Sequence, residues 1–241
     1  MSDLLEKSVA AITRLRRVHP RVHCITNSVA QHFSANVLLA CGAVPSMSVA
    51  EDEIEGFVSS SASLLINLGT MDPGRSRAVH KSVAVASARK IPFVLDPVFI
   101  QASKTRLALA KQVMSSHPTI VRANQAEADV LHDQMNHCDC VVISGPEDKV
   151  ITAAKTVQIK NGAPVMTQLT AMGCSLTALM AAVLAVEDDA KVTATAALLW
   201  FNIAGELAAE KSAGPGTFTP HFIDALAAID ASTIEKRAKL S

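Results

Sequence analysis

Short segments that are apolar almost throughout alternate along this chain with longer stretches in which apolar residues recur at helical spacing. The apolar segments predict strands at 22–25, 63–68, 91–95, 119–122 and 141–145. The longer stretches predict helices at 3–17, 74–89 and 104–115. Strands that are apolar on both faces are typical of parallel sheets with helices on both sides. The pattern therefore predicts an α/β fold in three layers around a mainly parallel sheet.

The pattern changes after residue 155. Residues 156–160 and 165–167 alternate on either side of Asn161-Gly162, a dipeptide typical of tight turns, and this predicts a β-hairpin. Helices are then expected at 173–186, at 190–211 and roughly at 220–238. Because no internal repeat or linker-like stretch interrupts the chain, we expect a single domain over residues 1–241.

Composition narrows the classes of partner. Lys and Arg together number 22, as do Asp and Glu, so no net charge attracts nucleic acids or anionic lipids. Aromatic residues make up only 3%, which argues against surfaces that stack nucleic-acid bases. The five cysteines lack the spacing of a disulfide framework, and no apolar stretch is long enough for a bilayer. We expect a cytoplasmic protein with no membrane or nucleic-acid partner, and the apolar composition favours a subunit interface.

Polar residues follow the ends of several predicted strands. They are Asn27, Asn67, Asp96, Arg122 with Asn124, and Ser144. Ligands of parallel sheets bind at the carboxyl ends of strands, so this collection favours a binding site. Each residue also has a structural interpretation: Asp96-Pro97 is a common strand-ending turn, and Asn124 with Glu127 could cap a helix.

The segment Thr170-Ala171-Met172-Gly173-Cys174 leads a cysteine into the first turn of an apolar helix. Backbone N–H groups in that turn lack helical acceptors, and the helix dipole adds positive charge, so the turn suits a phosphate group. We expect the same environment to lower the pKa of Cys174. The structural alternative is a glycine turn before a core helix that carries an inert cysteine.

The order of these segments resembles that of the hydroxyethylthiazole kinase family, which belongs to the ribokinase-like superfamily. The resemblance covers roughly residues 10–220 and is carried by 22–27, 42–47, 66–70, 95–98, 121–124 with Glu127, 143–145, 170–174 and 214–218. It implies a ribokinase-like kinase that uses ATP and Mg²⁺ to phosphorylate the primary hydroxyl of hydroxyethylthiazole in thiamine salvage. It also implies a homotrimer with the thiazole pocket between subunits.

The resemblance implies a role for each candidate residue. Cys174 would take the hydroxyl proton, and the backbone N–H groups of Met172, Gly173 and Cys174 would form an anion hole for the transferring phosphoryl group. The ATP-binding residues would be Arg122, Ser144 and Asn124, although threonine is usual at the position of Ser144. The thiazole alcohol would lie against Met47, Ala171 and Asn27. Asp96 and Glu127 would serve the magnesium ion.

The chain also departs from the family pattern. Ala171 replaces the first glycine of a Gly-x-Gly-Cys turn, Phe99 begins a bulky segment where the family has a glycine, and Ala123 stands where glycine is usual. The connection from Glu127 to the next strand predicts a domain shortened around 128–140. Two alternatives stay open: an impaired homologue that binds thiazole or nucleotide without turnover, and an ATP-dependent dehydratase on the same scaffold. Cys174 in place of an aspartate speaks against the dehydratase.

Overall fold

The computed structural model describes residues 2–241 and is built around one eight-stranded sheet. Its strands are β1 (Arg21–Ile25), β2 (Val44–Ser46), β3 (Ser63–Asn67), β4 (Phe93–Asp96), β5 (Ile120–Asn124), β6 (Cys140–Ser144), β7 (Asp148–Ile151) and β8 (Thr156–Ile159). They follow the order β2-β1-β3-β4-β5-β6-β7-β8. The first six strands are parallel, whereas β7 and β8 are antiparallel additions at one edge.

Helices cover both faces of this sheet. They are α1 (Ser2–Val18), α2 (Gln31–Cys41), α3 (Ile54–Ser59), α4 (Pro73–Arg89), α5 (Lys104–Met114), α6 (Gln125–Leu131), α7 (Met172–Leu184), α8 (Ala190–Lys211), α9 (Pro215–Ala228) and α10 (Ala231–Arg237). Short 3₁₀ helices occupy Ile100–Ala102, His132–His137 and Pro164–Gln168. The predicted α/β fold with a mainly parallel sheet is therefore confirmed.

Two separate cores explain why the strands are apolar on both faces. Side chains of a strand alternate between faces, so Leu65 joins the core under α1, α2, α7 and α8, while its neighbours Leu64 and Ile66 join the core under α3, α4 and α5. All three side chains are fully buried. A strand with two buried faces has no polar positions to alternate with, which is the pattern seen in the sequence.

The hairpin predicted around Asn161-Gly162 is wrong. The antiparallel strands are β7 and β8, joined through residues 152–155, and the segment predicted as the second strand lies in the 3₁₀ helix Pro164–Gln168. Pro164 occupies the first position of that helix, where its missing N–H is tolerated. Three alternating residues are too few to separate a strand from a single helical turn.

The helix predicted roughly at 220–238 is two helices. The first of them, α9, already begins at Pro215 and ends before Ile229. Asp230 then caps α10 by accepting a hydrogen bond from the backbone N–H of Thr233 at 2.8 Å. This side-chain cap lets a new helix start in a different direction within two residues.

The 22-residue helix α8 is, among residues 2–241, the single helix that is long and apolar enough to cross a membrane. Most of it is buried inside the fold, where it packs against α1, α7 and α9. The indole Nε1 of Trp200 donates a hydrogen bond to the carbonyl of Leu226 at 3.0 Å. In this structure α8 is the central helix of the larger core.

Candidate active site

Hydrogen-bonded side chains cross the carboxyl ends of three neighbouring strands. Asn27 follows β1, Asn67 ends β3 and Asp96 ends β4. Asn67 Nδ2 donates to Asp96 Oδ2 at 2.8 Å, and Asn67 Oδ1 accepts from Asn27 Nδ2 at 3.0 Å. Asn27 Nδ2 also donates to Cys174 Sγ at 3.3 Å. These contacts join the edge of the sheet to the first turn of α7.

The charge of Asp96 sets the orientation of both amides. An ionised carboxylate only accepts hydrogen bonds, so Asn67 must turn its NH₂ group toward Asp96 and its oxygen toward Asn27. Asn27 must then direct its own NH₂ group toward Asn67 and Cys174, while its oxygen accepts from the backbone N–H of Ala30 at 2.9 Å. The sulfur atom of Cys174 therefore faces a donor.

Asp96 is fully buried, and burial raises its pKa to about 6. The guanidinium of Arg122 opposes this increase in the pKa, whereas the nearby carboxylate of Glu127 adds to it. Thr177 also donates to Asp96 Oδ2 at 3.0 Å, while Asp96 Oδ1 has no hydrogen-bond partner. One carboxylate oxygen is thus fixed by two hydrogen bonds, and the other is buried opposite Arg122 without a hydrogen bond.

Arg122 lies between the sheet and α7. Its Nη2 donates to Ser144 Oγ at 2.5 Å, and its Nη1 lies 3.8 Å from Asp96 Oδ1. A β-carbon placed on Gly173 would come within 2.5 Å of Nη1, so only glycine leaves room for the guanidinium there. The arginine is mostly buried, and it stands beside the free backbone N–H groups of the first turn of α7. A buried cation next to such a turn has the charge and the hydrogen-bond donors that suit an anion.

Asn124 and Glu127 form a complete helix cap at the start of α6. Asn124 Oδ1 accepts from the backbone N–H of Glu127, and Glu127 Oε2 accepts from the backbone N–H of Asn124, each at 2.9 Å. Glu127 Oε1 accepts from the backbone N–H of Phe99 at 2.8 Å. The helix cap expected for this pair is therefore present. The carboxylate of Glu127 is almost fully buried, and it also holds the loop after Asp96 in place.

These carboxylates would suit a magnesium ion that arrives with a nucleotide. Within residues 2–241 no three His, Cys, Asp or Glu side chains converge on a common point that could hold a metal. Magnesium at phosphate-transfer sites uses one or two carboxylates and completes its shell with phosphate and water oxygens. The unpartnered Oδ1 of Asp96 fits that requirement, whereas both oxygens of Glu127 already accept backbone hydrogen bonds.

The expectation of a lowered pKa for Cys174 is wrong. Burial, together with the negative charge of Asp96, raises the pKa of this thiol to about 11. Hydrogen bonds from Asn67 and Asn27 and the charge of Arg122 act in the opposite direction but do not compensate. Cys174 is consequently a neutral thiol at neutral pH.

Two of the three residues that stand where the family usually has glycine adopt left-handed backbone conformations. Ala171 has φ 69° immediately before α7, and Phe99 has φ 55° after β4. Such a conformation costs a residue with a β-carbon about 1–2 kcal/mol. Ala123 lies in β5 and is absent from the left-handed residues, so its loss of glycine causes no backbone strain.

Met47 lies apart from the hydrogen-bonded group. It follows the edge strand β2, is half-buried, and its carbonyl accepts from Gln31 Nε2 at 3.3 Å. No hydrogen bond in the described part of the chain connects it to Cys174 or Asp96. The structure thus brings together Asn27, Asp96, Arg122, Ser144, Gly173 and Cys174, with Ala171 and Met172 beside them in sequence and Asn124 and Glu127 on the adjoining loop side.

A cleft of about 750 Å³ opens next to Arg122 and Gly173. Its walls come from the loops around β7 and β8, from the 3₁₀ helix Pro164–Gln168 and from α7 and α8. Sequence reasoning missed Asp148 and Asn202 in this cleft, and Thr177 on α7. Asn202 interrupts a long apolar run in α8, and that interruption was the available signal.

The model of the hydroxyethylthiazole kinase family matches residues 12–138 and 128–232. The chain belongs to the hydroxyethylthiazole kinase family. The expected resemblance is thereby confirmed, and membership identifies an enzyme of the phosphotransferase class.

Relatives of this family match nearly the whole chain. A hydroxyethylthiazole kinase from Granulibacter bethesdensis is 36% identical over 262 residues, which cover 98% of this chain and 95% of the relative. A hydroxyethylthiazole kinase from Roseobacter denitrificans is 39% identical over 240 residues, which cover 90% of this chain and 93% of the relative.

Solved structures agree with the family. The hydroxyethylthiazole kinase protein from Pyrococcus horikoshii superposes with a TM-score of 0.93 at 31% identity and covers 98% of both chains. A ribokinase-like superfamily protein from Enterococcus faecalis, with a TM-score of 0.68 at 15% identity and 94% coverage of both chains, supports the ribokinase-like fold alone.

Replacing Ala171 by glycine tests the strain at the start of α7. We expect Ala171→Gly to raise the free energy of unfolding by up to about 1 kcal/mol, because glycine adopts positive φ without steric cost. The matched control is Ala123→Gly in the buried strand β5, where we expect a loss of stability of about 1 kcal/mol or more. Urea denaturation measures both changes. Equal shifts in the same direction would contradict the assignment of strain to Ala171.

Proposed function

We propose that the protein transfers the γ-phosphoryl group of ATP to the primary hydroxyl of hydroxyethylthiazole. The observation that carries the proposal is the guanidinium of Arg122 packed against Gly173 at the first turn of α7, directly beside Cys174. A fixed positive charge, free backbone N–H groups and a proton-accepting side chain then adjoin a cleft large enough for a nucleotide. Membership of the family supports the same acceptor and donor.

The phosphate groups of ATP would lie against Arg122 and Ser144. The arginine is already oriented by the serine hydroxyl, so little side-chain freedom is lost when a phosphate binds. The backbone N–H groups of Met172, Gly173 and Cys174 would stabilise charge on the transferring group, which is the main contribution of the protein in phosphoryl transfer. Asn124 uses its oxygen in the helix cap, which leaves its Nδ2 for a contact with ATP.

Magnesium would be held by the nucleotide together with Asp96 and, through water, Glu127. Bound there, Mg²⁺ supplies positive charge that neutralises the phosphate oxygens. The unpartnered Oδ1 of Asp96 supports this assignment, as does the position of Glu127 against the loop that follows Asp96. Asn67 and Thr177 keep the other oxygen of Asp96 in place.

The thiazole alcohol would enter beside Asn27, Ala171 and Met47. Met47 follows the edge strand β2, and apolar side chains near this edge are exposed, namely Val29, Leu39 and Val44. An apolar surface at a sheet edge supports a homotrimer in which a neighbouring subunit completes the pocket around Met47. We also propose that the enzyme works in the cytoplasm as a single domain over residues 1–241, shortened around 128–140.

Cys174 would take the proton from the substrate hydroxyl. With a pKa of about 11, about one thiol in ten thousand is ionised at pH 7. A small thiolate fraction is compatible with the reaction because phosphoryl transfer through a loose transition state depends mainly on positioning and charge stabilisation. The turnover rate would then depend on pH.

Turnover should therefore rise with pH. Because the pKa of Cys174 is raised, the thiolate fraction increases about tenfold for each pH unit below 11, and we expect the turnover rate to follow. Cys174→Ala should lower turnover by about 10²–10⁴-fold, remove this pH dependence and leave ATP binding intact. Thiazole-dependent ADP release between pH 6.5 and 9.5 measures each effect.

The control is Cys138→Ala, which changes a partly buried cysteine outside the site. Near-normal turnover in Cys174→Ala excludes the cysteine as the base.

The anion site is tested by Gly173→Ala. The added β-carbon would displace the guanidinium of Arg122, so we expect ATP affinity to fall at least about tenfold. Gly56→Ala is the matched control, because a β-carbon there meets no atom within 4 Å. Calorimetric titration with ATP measures both variants. Unchanged affinity in Gly173→Ala would show that phosphate binds elsewhere.

A homologue that binds ligands without turnover is the second candidate. The left-handed conformations of Ala171 and Phe99 favour it, because both residues border the site where the family carries glycine. ATP binding without thiazole-dependent ADP release would support this candidate. Increased ADP release in Ala171→Gly or Phe99→Gly would show that these positions limit catalysis.

A further inference from the structure

The cleft beside Arg122 contains a second polar group that the proposed transfer does not use. Asp148, the first residue of β7, and Asn202, in the middle of α8, both line the cleft and are each 6% exposed. Buried polar side chains on a ligand cleft are unusual unless they bind each other, a ligand or both. Here they bind each other and leave one polar atom unused.

The hydrogen bonds fix the orientation of the Asn202 amide. Asp148 Oδ1 accepts from the backbone N–H of Gly145 at 3.0 Å, and Asp148 Oδ2 accepts from Asn202 Nδ2 at 2.7 Å. A carboxylate cannot donate, so Asn202 must turn its NH₂ group toward Asp148. Its Oδ1 then has no hydrogen-bond partner among residues 2–241, although the side chain lines the cleft. Asn202 thus offers the cleft a hydrogen-bond acceptor.

The neighbouring Asn161 shows what a purely structural amide looks like in the same cleft. Asn161 Nδ2 donates to Glu206 Oε1 at 3.1 Å and to the carbonyl of Arg237 at 2.9 Å. Its Oδ1 accepts from the backbone N–H of Lys239 at 2.8 Å. Both ends of this amide are therefore occupied by the protein, whereas only one end of Asn202 is.

Apolar side chains make up much of the lining of the cleft. They are Met166, Leu169, Met172, Leu176 and Phe201. A nucleobase has two apolar faces and a polar edge, so these side chains suit its faces. With the phosphates at Arg122, the base would point its edge toward the single free acceptor of Asn202.

We propose that Asn202, oriented by Asp148, selects ATP by accepting a hydrogen bond from the exocyclic amino group of adenine. Asn202 contacts the base, and Asp148 is a positioning residue that acts through Asn202. This inference rests on the proposed function, because it takes the cleft as the site of the nucleoside triphosphate. It names the residue that recognises the base, which the proposed phosphoryl transfer leaves open.

Hypoxanthine gives the sharpest comparison, because it carries an oxygen where adenine carries the amino group. In ITP this oxygen would face Asn202 Oδ1, so two acceptors would meet and a desolvated polar atom would stay unpaired. A site built around a hydrogen bond rejects analogues that lack the matching group. We expect the unaltered protein to bind ATP at least about tenfold more tightly than ITP.

The experiment measures dissociation constants of ATP and ITP by calorimetry for the unaltered protein, Asp148→Asn and Asn202→Ala. An asparagine at position 148 can either donate or accept, so the Asn202 amide can turn its NH₂ group toward the base. Asp148→Asn should therefore strengthen ITP binding and reduce the ATP preference to about threefold or less. Asn202→Ala should lose the preference by weakening ATP binding. Asp129→Asn, the same change at an exposed site on α6, should keep it.

A gain in ITP affinity separates selection from a purely structural role, because damage to the cleft would weaken both nucleotides. The near-ultraviolet circular dichroism of the buried Trp200 confirms that each variant is folded. Equal binding of ATP and ITP by the unaltered protein, or an unchanged preference in both folded variants, overturns the inference. If thiazole-dependent ADP release persists in that case, the proposed function stands. Absence of both nucleotide binding and ADP release from folded protein overturns both.

Discussion

The close contact between the Arg122 guanidinium and the backbone of Gly173 is the constraint on which the candidate site depends. The arginine comes from β5 and the glycine from α7, so the sheet and the helix layer meet at this contact. A cation that is mostly buried must be compensated, and Asp96 and Ser144 supply that compensation from the strands on either side. The remaining N–H groups of the guanidinium are then free for an anion.

Asp96 extends this organisation from Arg122 to the cysteine. Its charge orients Asn67, Asn67 orients Asn27, and Asn27 donates to the sulfur of Cys174. Burial raises the pKa of the thiol, and the same negative charge raises it further, so the group that arranges the site also disfavours the thiolate. Positioning and proton affinity are coupled here, and a site that relies on charge stabilisation can tolerate a small thiolate fraction.

Sequence patterns predicted the parts of the molecule that depend on local periodicity. The helix at 190–211 was predicted with the bounds that the structure shows, because Asp189 caps its start and apolar residues recur along its length. The polar strand ends were predicted because parallel strands present their carboxyl ends at one edge. The pKa of Cys174 was predicted wrongly because burial depends on contacts distant in sequence. Asp148 and Asn202 escaped for the same reason, since 54 residues separate them.

The positions of the site that favour glycine do so for two different physical reasons, and the two kinds of position tolerate a side chain differently. At Ala171 and Phe99 the backbone needs positive φ, and a side chain there costs conformational energy but displaces nothing. At Gly173 and Gly69 a side chain lacks space. A β-carbon on Gly173 would come within 2.5 Å of Arg122, and one on Gly69 would come within 2.8 Å of Asn27. Strain of about 1–2 kcal/mol can be carried by the surrounding fold, which holds α7 through Ser63 and Thr177. An added β-carbon at Gly173 or Gly69 would instead displace the arginine or the amide that defines the site. A side chain is therefore compatible with the site at the strained positions but not at these two.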